Sequence, residues 1–232
     1  MPITTVGLDA DDTLWHNETL FRLTQDRFLD LLTDHDTEAV RARLAEVERR
    51  NLRLYGYGVK GFTLSMIETA MEMCDGEPPA GAIREILAAG REMLAHPVET
   101  LPGVDEALAR LSERYRLVLV TKGDLLDQER KLAASGLGEL FAAVEIVSEK
   151  DRTTYDRVFA RHGTGAAEAV MAGNSMKSDV LPALEAGAFA VHIPYAITWA
   201  HELADAPDDN PRYGALDRIA DLPDWIDRRS DG

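Results

Sequence analysis

Val6-Gly7-Leu8-Asp9-Ala10-Asp11-Asp12-Thr13-Leu14-Trp15 decides the fold. An apolar run from Ile3 to Leu8 stops abruptly in three carboxylates within four positions. A short apolar run bounded by turn signals reads as a buried strand. In open parallel α/β sheets, reacting groups gather beyond the carboxyl ends of the strands. Asp9 and Asp11 are therefore expected together in a crevice. Carboxylates this close repel, and burying them unpaired is costly. A hard divalent cation held by oxygen ligands, Mg²⁺, is the natural remedy. An acidic turn after a strand is the plain alternative. An EF-hand calcium loop is excluded: it needs Gly at its sixth position and Glu at its twelfth, where counting from Asp9 gives Leu14 and Leu20.

The 232 residues, 45% of them hydrophobic, suffice for one sizeable core and a smaller satellite domain. No apolar run is long enough for a membrane span, and no basic region followed by a long apolar one marks a secretory signal. A single cysteine, Cys74, cannot form an internal disulfide, which fits a reducing cytoplasm. The sequon Asn17-Glu18-Thr19 is then chance. A net charge of −16 argues against nucleic-acid binding, which needs a basic surface. It also repels anionic substrates, so any phosphate site must be made locally. Only five of the twenty-five basic residues are lysines, and Lys150 is one of them.

The next strand-like run, Tyr115 to Thr121, begins more than a hundred residues after the first. Between them, four apolar stripes repeat at helical spacing. They run through Phe21, Phe28, Leu29 and Leu32; through Val40, Leu44, Val47 and Leu54; through Leu64, Ile67, Met71 and Cys74; and through Ile83, Ile86, Leu87 and Leu94. Read as core, they predict a helical bundle inserted over residues 17–98, with residues 1–16 and 99–232 forming an α/β core domain. The turn Tyr55-Gly56-Tyr57-Gly58-Val59-Lys60-Gly61 contains a literal Gly-x-Gly-x-x-Gly. That fingerprint binds dinucleotides only after a buried strand, and here a helical, charged stretch precedes it.

From Val104 onward strands and helices alternate. Strands are expected at 117–121, 142–147, 168–173 and 188–193, and helices at 125–135, 153–161 and 178–186. Such alternation predicts a Rossmann-like, doubly wound parallel sheet. Residues 206–211 read as loop, and Ile219, Leu222, Trp225 and Ile226 as a last helix or docking segment.

Four stretches then fall in a telling order: Asp9-x-Asp11-x-Thr13; Thr121 ending a strand; Lys150 after the next strand; and Gly173-Asn174-Ser175-Met176-Lys177-Ser178-Asp179. Together they resemble the motifs of the haloacid dehalogenase superfamily, in its phosphatase form with a helical cap inserted after the first motif. The resemblance implies that Asp9 is the nucleophile, Asp11 the acid–base, and Lys150 the ammonium that neutralises the transferring phosphoryl group. It implies that Thr121 binds substrate, and that Mg²⁺ is held by Asp9, the Asp11 carbonyl and Asp179. Asn174 stands where the family has Asp, lowering the site's charge by one; it can offer an oxygen or hold a water. Lys122 follows Thr121 where the family has a small polar residue, and is a further substrate-binding candidate. So are Tyr57 and Lys60, in the turn within the insert. The implied activity is Mg²⁺-dependent hydrolysis of a small phosphorylated metabolite; sugar phosphates, nucleotides and phosphoglycolate all fit. A haloacid dehalogenase needs neither Mg²⁺ nor an acid at Asp11. A phosphomutase would share Asp11, and a binding module that has lost its chemistry is the non-enzymatic alternative.

Overall fold

In the computed structural model, which describes residues 2–197, 199, 202–207 and 209–230, β1 spans Thr5–Leu8 and is buried throughout. Val6 and Leu8 pack into one apolar cluster. Gly7 faces the other way, where a Cβ would lie 3.0 Å from Met171 Sδ and 3.1 Å from the Phe159 ring. A side chain there would have to push the neighbouring layer out.

β1 sits inside a six-stranded sheet of order β3-β2-β1-β4-β5-β6, with every pair parallel. The other strands are β2 (Arg116–Lys122), β3 (Ala143–Val147), β4 (Ala169–Gly173), β5 (Phe189–His192) and β6 (Tyr213–Ala215). The strand order reverses at β1, which puts the crevice for reacting groups beyond the ends of β1, β2 and β4. Helix α5 (Val104–Ser112) and α9 (Leu222–Ser230) cover one face, together with the buried Trp225 and Ile226. Helix α7 (Arg152–His162) and the short α8 (Leu181–Glu185) cover the other, through Tyr155, Val158, Phe159 and Ala183. Helix α6 (Leu125–Ser135) follows β2.

The expected helix over 178–186 is broken differently. A single π turn, Met176–Val180, precedes α8. Pro182 has no N–H, so it cannot bond the carbonyl of Ser178. The Tyr155 hydroxyl donates to that carbonyl instead, at 2.9 Å. Strand β6 was not expected either: Tyr-Gly-Ala is too short and mixed to register as a strand. Of the loop expected at 206–211, Asp208 lies outside the described residues.

These elements, with α6 from Gln128 onward, form one compact unit, residues 1–18, 98–122 and 128–232. A second unit, residues 19–97 with 123–127, contains α1 (Glu18–Leu29, from its second residue), α2 (Thr37–Tyr55), α3 (Val59–Met73) and α4 (Ala82–Ala95). Its core is Phe28, Leu32, Val40, Leu44, Phe62, Met66, Ile86 and Met93. Four residues expected in that core are exposed: Leu54, Leu64, Met71 and Leu87. The face of α3 that is buried carries Thr63, Ser65 and Thr69. Each hydroxyl donates to the carbonyl four residues earlier, so the polar groups are satisfied without water. The glycine-rich turn follows α2 rather than a strand, and Gly56 and Gly58 take positive φ (71° and 103°) to turn into α3.

Candidate active site

Asp9 continues the ladder one residue beyond β1, its N–H donating to the Ala172 carbonyl at 3.0 Å. Its carboxylate accepts from Lys150 Nζ through Oδ1 and lies 3.1 Å from the Thr13 hydroxyl through Oδ2. Lys150, in the loop between β3 and α7, also donates to Asp179 Oδ1 at 2.6 Å. Asp179 is wholly buried in the π turn, and its Oδ2 accepts the Ser175 N–H at 2.9 Å. Gly173 makes that possible: a Cβ there would overlap the Asp179 carboxylate. The Ser175 side chain caps the turn by accepting from the Ser178 N–H.

Two buried carboxylates therefore share one ammonium, leaving a negative charge in excess. Burial, and next the Asp179 charge, push the Asp9 carboxyl up to about 7 against the pull of Lys150. Desolvation works against the Lys150 charge, but Asp179 and Asp9 outweigh it and raise its basicity. This is where a further cation would be welcome, and the donors are oxygens that suit a hard one. Among the described residues, no three or more acid, imidazole or thiol groups gather into a metal cage. A cation here would have two carboxylates and otherwise carbonyl oxygens and water, a set that fits Mg²⁺, which keeps several waters.

Asp11 and Asp12 go separate ways. The Asp11 carboxylate accepts from Trp15 Nε1 at 2.7 Å and Lys131 Nζ at 2.9 Å on Oδ1, and from Gln128 Nε2 at 3.0 Å on Oδ2. Asp12, at a positive φ of 62°, turns away and accepts the N–H groups of Asn17 and Glu18 at the start of α1. Burial pushes the Asp12 carboxyl up to about 7 as well, against those two hydrogen bonds.

Thr121, buried near the end of β2, accepts from Gln128 Nε2 at 2.9 Å. Lys122 points its ammonium at the Ser178 hydroxyl (2.9 Å) and at Glu202 (2.7 Å). The other Glu202 oxygen accepts from the Ser175 and Ser178 hydroxyls. Desolvation resists this charge, yet Lys122 and the two hydroxyls hold Glu202 down at about 2. A carboxyl depressed from 4.5 stabilises the fold above that value and loses its contribution as pH falls toward 2. In urea unfolding, Glu202→Gln is therefore expected to lower the midpoint at neutral pH, with the gap narrowing as the pH drops below about 4.5. A gap constant with pH would contradict this.

The Asn174 side-chain oxygen accepts from the Thr13 hydroxyl (3.3 Å), and the Asn174 backbone N–H lies 3.0 Å from Thr13 Oγ1. The structure thus brings Asp9, Asp11, Thr121, Lys150, Asn174 and Asp179 to the strand ends of one unit. Tyr57 and Lys60 belong to the helical unit, where Lys60 pairs with Asp124 at 2.9 Å. Gln128, Lys131 and Glu202 were missed from the sequence. The scarcity of lysine was the available signal: Lys122, Lys131 and Lys150 all turn to these groups.

A family model for haloacid dehalogenase-like hydrolases matches residues 3–187. The chain is 41% identical to a haloacid dehalogenase-like family hydrolase from Xanthomonas campestris, covering 99% of this chain and 94% of that one, with a TM-score of 0.88. YfnB, a HAD-hydrolase from Bacillus subtilis whose structure is bound to magnesium, is 15% identical over 97% of this chain and 99% of that one, TM-score 0.68. An L-2-haloacid dehalogenase from Xanthobacter autotrophicus, with chloropropionic acid covalently bound, is 15% identical over 97% and 98%, TM-score 0.66. At that identity both show the fold alone. No curated protein matches the sequence.

Proposed function

The chain belongs to the haloacid dehalogenase-like hydrolases, and from that premise we propose that it is a Mg²⁺-dependent phosphomonoesterase acting on a small phosphorylated metabolite. The observation that carries this reading is a second carboxylate, Asp11, close enough to Asp9 for its charge to act on it. Halide leaves without a proton, so a dehalogenase has no work for such an acid. An alkoxide does need one.

In this reading Asp9 attacks phosphorus, forming an Oδ–P bond as the ester P–O bond breaks. Asp11 gives its proton to the departing oxygen. Water then attacks phosphorus, Asp11 takes its proton, and the bond to Asp9 breaks. Lys150 and Thr121 hold phosphoryl oxygens, and a fixed ammonium there offsets charge as it builds up. Mg²⁺, held by Asp9, Asp179 and the Asp11 carbonyl, with Asn174 beside them, would supply further positive charge against the phosphoryl group. Dividing the displacement into two steps replaces one difficult attack by two easier ones. By its place in the chain, after the first motif, the helical unit takes the part of the family's cap, with Tyr57 and Lys60 selecting the leaving group. Among the described residues, no helix is long and apolar enough to cross a membrane. The single cysteine, Cys74, is the basis on which we place the enzyme in the reducing cytoplasm.

Haloacid dehalogenation is the rival within the family, and Asn174 favours it by removing one acid from the cation's ligands. The two readings separate by product. Phosphate released from p-nitrophenyl phosphate with Mg²⁺, and not with EDTA, is the expected result. Chloride released from 2-chloropropionate regardless of EDTA, with no phosphate from the ester, would replace this reading by the rival.

A further inference from the structure

Resting on the phosphatase reading, we propose that Gln128 and Lys131 are positioning residues that aim the Asp11 carboxylate at the leaving oxygen. They stand three residues apart on α6, so they share one face of the helix. Gln128 is buried and Lys131 nearly so. One donates to each Asp11 oxygen, and Trp15 Nε1 fixes the carboxylate from a third side. A carboxylate gripped on both oxygens cannot rotate about its own axis.

The Gln128 amide is tied into the second motif as well. Its Nε2 lies 2.9 Å from Thr121 Oγ1 and 2.8 Å from the Lys122 carbonyl, besides 3.0 Å from Asp11. The opposite amide orientation would put Oε1 against a carboxylate and a carbonyl, so the NH₂ belongs where it is. Among the described residues, its Oε1 is buried with no hydrogen-bond partner. Leaving a buried acceptor unmade is costly, and here that cost is tolerated while the NH₂ group bridges the acid–base and the phosphate-holding hydroxyl. Lys131 reaches Asn17 Oδ1 at 2.8 Å too, which ties Asp11 to the segment entering α1. The role proposed is geometric. A proton donor must lie within hydrogen-bond reach of the atom it protonates, and small misplacements are expensive in rate.

The test compares Lys131→Met and Gln128→Met with wild type on two esters: p-nitrophenyl phosphate, whose phenolate leaves without help, and an alkyl phosphate, whose alkoxide needs a proton. The value read is kcat/KM, which ends at departure of the leaving group. The alkyl ester should lose on the order of 100-fold, the lower range of general-acid catalysis. The nitrophenyl ester should lose only a few-fold, somewhat more for Gln128→Met, which also frees Thr121. Lys131→Arg should recover part of the alkyl-ester rate. Equal losses on both esters, or none, would overturn the proposal. If wild type released phosphate from neither ester, the phosphatase reading and this inference would fall together. Were Gln128→Met not to fold, the Lys131 variants decide alone.

Discussion

Asp9→Asn is expected to abolish turnover, by four orders of magnitude or more, while leaving the protein at least as stable as wild type. Loss of a nucleophile has this scale in enzymes where it can be removed alone. The stability claim follows from the charge count. Asp9 and Asp179 share the Lys150 ammonium, so removing one carboxylate charge leaves a balanced buried pair. The pH dependence follows as well. The Asp9 carboxyl is lifted from 3.8 to about 7 in the folded chain, so between those values the unfolded chain gives up its proton first. The Asp9 contribution to wild-type stability then falls as pH rises from about 4 to about 7, and levels off above. Asp12 is lifted in the same way and is retained in the variant, so the slope is reduced rather than lost. Mg²⁺ should stabilise wild type more than the variant, because binding to the folded state adds directly to its stability. Urea unfolding from pH 4 to 8, with and without Mg²⁺, checks all of this. A variant less stable than wild type at pH 7 would show that the excess charge is compensated by something else.

Lys150→Met acts in the opposite direction. Its side chain is 2% exposed, and the two carboxylates it separates are 9% and 1% exposed. Removing one partner of a buried ionic group, with no substitute charge, costs about 3–5 kcal/mol. The loss should be greatest at neutral pH. It should shrink at acidic pH, where one carboxylate takes up a proton and the repulsion is relieved. Mg²⁺ should restore part of the midpoint by standing in for the ammonium charge. Turnover should not return with it, because the ammonium that faces the phosphoryl group is gone. A midpoint unchanged from wild type at pH 7 would mean that Asp9 and Asp179 are not held together by Lys150.

How much of this was legible beforehand differs from residue to residue. Strand β1 and Asp9 were, because a parallel strand buried on both faces is a continuous apolar run, and carboxylates at its end have no packing reason to be there. The helices of the second unit were legible as helices but not in their buried faces. Hydrophobic periodicity counts Leu64 and Met71 as core and passes over Thr63, Ser65 and Thr69. The structure reverses both, because those hydroxyls bond their own helix. The π turn depends on a long-range event, the Tyr155 hydroxyl meeting the carbonyl that Pro182 cannot serve. Glu202 reaches Lys122 across eighty positions, and no local pattern announces it. Gln128 and Lys131 were within reach, since their spacing puts them on one face of a helix that follows the second motif. What was lacking was knowledge that this face meets Asp11.

The central claim is attack by Asp9 on phosphorus and release of that phosphorus by water. It is tested most directly by turnover in heavy-oxygen water, with mass spectrometry on the released product and on the peptide containing Asp9. Wild type turning over p-nitrophenyl phosphate should place the label in inorganic phosphate and leave the Asp9 carboxylate unlabelled. Label accumulating in Asp9 would contradict the account, because it would mean that water attacks the carboxyl carbon of an ester, as a dehalogenase intermediate requires.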